Sequence, residues 1–201
     1  NGYRGLVFGV GEFEDDRYHL NDVQPLRGQA SSGGVLLSVR NLSSVALFIP
    51  KTGKIEWLQT GPWLNQHDIN DMGDGRYSIF GNNVIRGDRG NVMVDGHSDI
   101  YLFNPSTGHI ETPYSKVLAQ VEMASGTGGR VRILANDDAF IEETDGVRLM
   151  RISYDQVRWE FVHRIKANPD GAGQTNATLN WSRYLSGDSI KTEWLEALSC
   201  D

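Results

Sequence analysis

The stretch that decides the fold is Val45–Trp57, VALFI-PKTG-KIEW, in which two apolar runs flank a turn. Apolar runs bounded by proline, glycine and small polar residues are typical of two β-strands joined in a hairpin. The same pattern returns at Ile100–Glu111, IYLFN-PSTG-HIE, and at Val147–Phe161, VRLMRI-SYDQ-VRWEF. The chain therefore repeats a strand–turn–strand unit about every fifty residues.

Two further alternating segments precede each hairpin, so that each unit consists of four predicted strands. The segments directly before the hairpins are Gly34–Val39, Gly75–Phe80 and Gly129–Leu134. The segments before those are Asn21–Val23, Asn70–Met72 and Gln120–Met123. Four strands in about fifty residues are typical of a β-propeller blade, so we expect an all-β protein built of such blades. A β-meander that never closes into a circle is the alternative.

The repeat predicts a single domain and its internal boundaries. The predicted blades cover approximately residues 15–60, 61–115 and 116–165, and a C-terminal tail covers 166–201. This assignment puts Trp57 and Trp159 on equivalent strands. Three blades and a partial fourth are few for a closed ring. We therefore expect an incomplete, open arc of a larger propeller, whose other blades precede this chain.

Composition excludes several classes of function. The chain has 26 acidic against 19 basic residues and a formal net charge of −7, which argues against a general nucleic-acid binder. No apolar run approaches the roughly 18 residues of a membrane span. Cys200 is the one cysteine, so no internal disulfide bond can form. The run Gly126–Gly129 has no following Lys-Ser or Lys-Thr and is therefore not a phosphate-binding loop.

Two histidines, His19 and His67, occupy the same place in successive repeats, just before the first strand of a blade. The innermost strands of a propeller surround its central channel, so matched positions on neighbouring blades converge there. Two interpretations remain open: the imidazoles meet in the channel, with Asn21 nearby, or a repeated His-Asp turn serves only to begin strands. A metal site is the weaker alternative because no pair of these residues has a specific ligand spacing. We expect neither a metal nor another cofactor.

Several motifs resemble those of the arylsulfotransferase β-propeller family. They are Leu37–Asn41 (LSVRN), Lys51–Trp57 (KTGKIEW), Gly61-Pro62, Gln66–Asp68 (QHD) and Phe80–Asn83 (FGNN). In that family a strand ending in Ser-x-Arg-Asn precedes a Thr-Gly-Lys-Ile-x-Trp hairpin, a Gly-Pro pair and a Gln-His-Asp turn. The resemblance extends over nearly the whole chain, and the Gln-His-Asp segment is its most diagnostic part.

The resemblance implies a propeller enzyme that moves a sulfuryl group from an aryl sulfate ester to a phenol through a transiently sulfated histidine. It implies three catalytic residues, His19, His67 and Arg86, and we add Asn21, Asn83 and His97 as candidate substrate-binding residues. The implied partners are two small molecules, the aryl sulfate and the phenol, with no nucleic acid or membrane. A secreted or periplasmic location is also implied.

The chain departs from the family pattern at one important place. The resemblance puts the nucleophilic histidine near Leu134–Glu143, where this sequence has none. Either His67 or His97 then takes that role, or the chemistry has been lost. The alternative function is accordingly a non-catalytic β-propeller that binds a ligand or another protein, which the same fold permits.

Overall fold

The structure is a computed structural model that describes residues 16, 18–26, 33–87, 90–163 and 179–187. Within those ranges the chain folds into fourteen strands, one short α-helix and one 3-10 turn. The strands form four antiparallel sheets, which confirms the prediction of an all-β protein. No helix in these ranges is long and apolar enough to cross a membrane.

The strands follow one another in three four-stranded meanders. The first sheet contains β1 (Leu20–Pro25), β2 (Val35–Val39), β3 (Ser44–Ile49) and β4 (Lys54–Thr60). The second contains β5 (His67–Asp71), β6 (Tyr77–Gly81), β9 (Asp99–Asn104) and β10 (His109–Glu111), with the hairpin of β7 (Val84–Gly87) and β8 (Gly90–Met93) inserted after β6. The third contains β11 (Arg130–Ile133), β12 (Ala139–Glu143), β13 (Arg148–Ile152) and β14 (Val157–Val162). Trp57 and Trp159 lie on the fourth strands of the first and third sheets.

One predicted strand is wrong. The segment Gln120–Met123 is not the first strand of the third sheet, because α1 (Ser115–Gln120) and the turn after it occupy this part of the chain. Val117, Leu118 and Met123 are buried together in the core, the first two from the helix and the third from the segment after it. Gly129–Leu134 therefore supplies the first strand of the sheet, and β12, which the sequence pattern did not predict, supplies the second.

The sheets pack against one another through two apolar clusters. One joins the first and second sheets around Trp63, Ile69 and Ile79. The other joins the second and third sheets around Phe80 and Ile141. Burial of these apolar faces favours this order of the sheets, because each sheet has an apolar face that the neighbouring sheet covers.

Side chains tie the first strands of neighbouring sheets together. Asp22 of β1 accepts the backbone N–H of Ile69 on β5, at 2.9 Å. Asp68 of β5 accepts the N–H of Val131 on β11 in the same way, at 2.8 Å. Asn70 adds a bond from its amide to the Val131 carbonyl, at 2.8 Å. The repeated acids that follow His19 and His67 therefore hold successive sheets at a fixed distance.

Gly129 lies against Phe80 of the second sheet, and we expect Gly129→Ala to destabilise the fold. Its φ is +113°, and an added Cβ would overlap the buried ring of Phe80. Overpacking and an unfavourable φ should together lower the free energy of unfolding by about 2 kcal/mol or more. Urea denaturation measures this change. Gly187→Ala is the control, because its Cβ would meet nothing within 4 Å; equal stability of both variants would contradict the packing described.

Candidate functional site

His67 is the first residue of β5, and one hydrogen bond fixes which of its nitrogens carries the proton. Its Nδ1 lies 2.7 Å from Oδ1 of Asn82. The Asn82 amide nitrogen donates to the carbonyl oxygens of Ser125, at 2.7 Å, and Gly128, at 2.5 Å, so the amide oxygen must face the histidine. An amide oxygen only accepts, and Nδ1 must therefore donate. In the neutral ring the lone pair consequently lies on Nε2.

The surroundings of His67 keep its ring uncharged. Burial is the largest influence and lowers the pKa to about 4, although the bond to Asn82 acts in the opposite direction. The charges of Arg40 and His19 lower the pKa of His67 further. An imidazole with that pKa has a free Nε2 lone pair at neutral pH, which both a nucleophile and a general base require.

Arg40 supplies a buried cation close to His67. It begins the 3-10 turn Arg40–Leu42 directly after β2, and only 5% of the residue is exposed. Its backbone N–H donates to the carbonyl of His19, and its Nη1 donates to Oδ1 of Asn41. Burial lowers the pKa of Arg40, while the Asp16 carboxylate raises it. A guanidinium remains charged despite such shifts, so Arg40 contributes a positive charge that acts on His67.

His19 is held by an acid three residues before it. Its Nδ1 lies 2.5 Å from Oδ2 of Asp16, and its backbone N–H donates to Oδ1 of the same carboxylate. The hydrogen bond from the His19 side chain is the main reason that the pKa of Asp16 is lowered. A carboxylate on Nδ1 leaves Nε2 to exchange a proton with a ligand. The structure thus brings His19, Arg40 and His67 within electrostatic reach of one another.

A cavity of about 130 Å³, which we call the His67 cavity, adjoins the histidine. Its wall includes Asn21, Asp22, Asp68, Glu142, Arg130 and Trp181. Burial is the main cause that raises the pKa of Asp68 to about 6, and it also raises the pKa of Asp22. In the described part of the chain, no three or more His, Cys, Asp or Glu side chains are grouped as a metal ion would need.

Asn21 also lies in this wall. Its amide nitrogen donates to the carbonyl of Gln66, the residue before His67, at 2.8 Å. Its Oδ1 is buried and has no hydrogen-bond partner within the described residues. Asn21 therefore positions the chain next to His67 and presents an unused acceptor.

Asn83 and His97 are located elsewhere. Asn83 is buried, and its Oδ1 accepts from the Tyr101 hydroxyl at 3.0 Å. His97 lines a second cavity of about 390 Å³, where its Nε2 lies 3.1 Å from the Ser115 hydroxyl. Neither residue is part of the wall of the His67 cavity. Their predicted contact with the substrate stays a prediction.

Arg86 lies on β7, paired with Asn91 of β8, and its side chain is outside the described part of the structure. Sequence patterns did not indicate a functional role for Arg40 or Asn82. Arg40 could have been found from the sequence, because it is the arginine of the Ser-x-Arg-Asn motif at Leu37–Asn41. The role of Asn82 depends on a contact between the start of β5 and the end of β6, which spacing alone does not reveal.

The chain is similar to a family of known sequences and to solved structures. No curated protein is significantly similar to the chain. Among solved structures, the chain is similar to a protein of unknown function from Bacteroides caccae, with 10% identity and a TM-score of 0.39. That alignment covers 72% of this chain and 61% of the other, so the chain spans less than two thirds of that protein. The sequence model of the family described as Arylsulfotransferase (ASST) matches residues 5–164, which is most of the chain. The chain belongs to the arylsulfotransferase family.

Proposed function

We propose that the protein transfers a sulfuryl group from an aryl sulfate ester to a phenol and that His67 is the nucleophile. The observation that carries the proposal is the bond from Nδ1 of His67 to Asn82, which leaves the lone pair on Nε2, within electrostatic reach of the buried guanidinium of Arg40. A histidine nucleophile divides one difficult transfer into two easier steps. Membership of the arylsulfotransferase family supports the same chemistry.

In the first step, Nε2 of His67 attacks the sulfur atom, and the bond from sulfur to the phenolic oxygen breaks. The ring becomes a cation that carries the sulfuryl group on Nε2, and its Nδ1–H remains bonded to Asn82. The guanidinium of Arg40 holds two non-bridging sulfuryl oxygens with paired N–H groups. Preorganised charge of this kind stabilises the transition state without reorganisation. A poor leaving phenol takes its proton from His19.

In the second step, the acceptor phenol attacks the same sulfur atom from the place that the first phenol has left. Its proton passes to Nε2 of His19, which Asp16 holds through Nδ1. The bond between sulfur and Nε2 of His67 then breaks, which restores the neutral ring. The low pKa of His67 helps here because a weakly basic nitrogen is a good leaving group. Arg40 takes the cationic role in this scheme, and that of Arg86 stays a prediction.

The proposal extends to the architecture and the location. The three stacked meanders support β-propeller blades at approximately residues 15–60, 61–115 and 116–165, with a tail at 166–201, in one domain. We propose that these blades form an open arc of a larger propeller. We also propose that the protein works outside the cytoplasm, secreted or periplasmic, on small molecules.

A chromogenic transfer assay tests the proposed function. The protein is mixed with p-nitrophenyl sulfate, with and without phenol, and release of p-nitrophenolate is followed by absorbance. The proposal predicts release that phenol accelerates, together with phenyl sulfate as product and ping-pong kinetics. Absence of phenyl sulfate at every phenol concentration would reject it and leave the non-catalytic binding module.

The pH dependence of the first step follows from the state of His67. Because its pKa is lowered from 6.5 to about 4, the burst of p-nitrophenolate should keep its rate as the pH falls through 6.5. The rate should decline only as the pH approaches 4, where Nε2 becomes protonated. p-Nitrophenolate leaves without help from an acid, so the burst reports on His67 alone. A stopped-flow titration with a midpoint near 6.5 would contradict this account.

His67 and Asp68 affect the stability of the fold in opposite directions as the pH changes. Between pH 6.5 and about 4 the unfolded chain binds a proton at His67 that the folded chain does not, so stability falls as the pH falls. Asp68 has its pKa raised from 3.8 to about 6, so there the folded chain binds the extra proton and stability increases as the pH falls. The two contributions partly offset each other where their ranges overlap.

A further inference from the structure

We propose that the His67 cavity selects a single-ring phenol whose side chain carries a positive charge. This inference rests on the proposed function and specifies the substrate class of the same site. Three features of the cavity support it: its volume, the aromatic side chain at its wall and its excess of carboxylates.

The volume of the cavity limits the ligand to one ring. The cavity measures about 130 Å³. An apolar cavity of about 150 Å³ is sufficient to hold benzene. A cavity of this size admits at most one ring beside His67, and the side chain of the phenol extends past the exposed ring of Trp181.

Trp181 supplies an aromatic surface in this wall. Trp181 is 73% exposed although it lines the cavity, so its ring is not packed into the core. Arg130 lies 5.0 Å from the centre of the ring, and Asp68 holds the same guanidinium at 3.3 Å. Ser182 anchors this segment through a backbone hydrogen bond to Glu142. The ring is thus fixed at the wall, where the ring of a phenol can stack on it or meet its edge.

Fixed negative charges outnumber positive ones around the ligand. The wall contains three carboxylates, Asp22, Asp68 and Glu142, but a single guanidinium, Arg130. Each carboxylate accepts a backbone N–H, from Ile69, Val131 and Ser182 respectively. The bonds to Asp22 and Asp68 favour their ionised forms and act against the burial that raises both pKa values. Above the Asp68 pKa of about 6, these carboxylates therefore favour a positively charged group on the phenol, while the sulfuryl group of the donor lies toward the guanidinium of Arg40.

An unused acceptor strengthens the preference for a cation that donates hydrogen bonds. Oδ1 of Asn21 is buried and lacks a partner among the described residues, and Asn21 lines the same cavity. A buried acceptor without a partner is costly, and an ammonium group would satisfy it after a small turn of the Asn21 side chain toward the cavity. The leaving phenol and the attacking phenol occupy the same place opposite Nε2 of His67, so the preference applies to donor and acceptor alike.

Three acceptors of similar size test the inference: tyramine, 4-ethylphenol and 4-hydroxyphenylacetate, which are cationic, neutral and anionic. With the assay at a pH well above 6, we expect kcat/KM to fall by at least about fivefold at each step in that order. Asp22→Asn should reduce the spread between tyramine and 4-hydroxyphenylacetate by about fivefold or more. Glu56→Gln removes an exposed charge of β4 and is the matched control, which should keep the full spread. Equal kcat/KM values in the parent protein would overturn the inference.

A binding measurement separates this inference from the proposed function. His67→Ala cannot form the sulfated intermediate but keeps the carboxylates, and binding is followed by tryptophan fluorescence with Trp181→Phe as the control. The expected result is tighter binding of tyramine than of 4-hydroxyphenylacetate, with a signal that Trp181→Phe loses. If no transfer occurs in the parent but this order of binding persists, the proposed function fails and the cation-selective cavity stands. If transfer occurs without this order, the proposed function stands and the cavity inference fails.

Discussion

Replacing His67 by alanine should lower the rate of sulfuryl transfer by about a thousandfold or more, the scale expected when a nucleophile is removed. The variant loses the Nε2 lone pair, so it has no atom on which to hold the sulfuryl group. The fold should persist, because among the described residues the side chain makes a single hydrogen bond, to Asn82, and belongs to neither apolar cluster. The measurement is the p-nitrophenolate burst together with steady-state formation of phenyl sulfate.

His109 provides the matched control for this substitution. It lies on β10 with 69% of its side chain exposed and pairs only weakly with Glu111, at 3.9 Å. His109→Ala should therefore transfer sulfate at the rate of the parent protein. A His67→Ala variant that is folded, by circular dichroism, and as active as His109→Ala would eliminate His67 as the nucleophile.

The second large effect concerns the buried cation. Arg40→Lys should lower kcat by about a hundredfold, because an ammonium group cannot donate two parallel hydrogen bonds to the sulfuryl oxygens. Arg40→Ala should lose more, and guanidinium ions added to the solution should restore part of its activity. A residue with only a structural role would not respond to guanidinium in this way.

Two other arginines serve as comparisons. Arg76 is a cation on an exposed turn, paired with Asp74, and Arg76→Lys should leave transfer unchanged. Arg86→Lys tests the residue that the family resemblance first indicated. If Arg86→Lys loses activity while Arg40→Lys keeps it, the cationic role belongs to Arg86, and the assignment of Arg40 is wrong.

Much of the strand pattern could be predicted because local chemistry determines it. The hairpin at Val45–Trp57 has its turn at Gly53, where φ is +67°, a conformation that glycine adopts readily. The pattern failed at α1, whose short apolar segment has no clear period. Packing of Val117 and Leu118 into the core, rather than intrinsic preference, decides that this segment is helical. The same limit applies to the inserted β7–β8 hairpin, which the fifty-residue repeat did not contain.

The candidate site was predictable only where the repeat itself places a residue. His19 precedes β1 and His67 begins β5, the matched first strands of two sheets, and Arg40 lies within electrostatic reach of His67 and bonds to the His19 backbone. The protonated nitrogen of His67 could not be predicted, since it depends on Asn82 and on two carbonyl groups from a distant loop. From the sequence, the acidic residues near the histidines could be metal ligands or part of turns that begin strands. Their actual role, as ties between sheets, requires backbone N–H groups of the next sheet.

The most direct test of the central claim is to identify the residue that carries the sulfuryl group. The protein is mixed with p-nitrophenyl sulfate in the absence of a phenol, stopped at a pH that preserves sulfated histidine, digested and mapped by mass spectrometry. The account predicts one modified peptide, heavier by the mass of one SO₃ group, with fragment ions that place the group on His67 and with loss of the group when phenol is added before digestion. A sulfuryl group on His97 or His19 instead, or transfer to phenol with no labelled peptide, would contradict it.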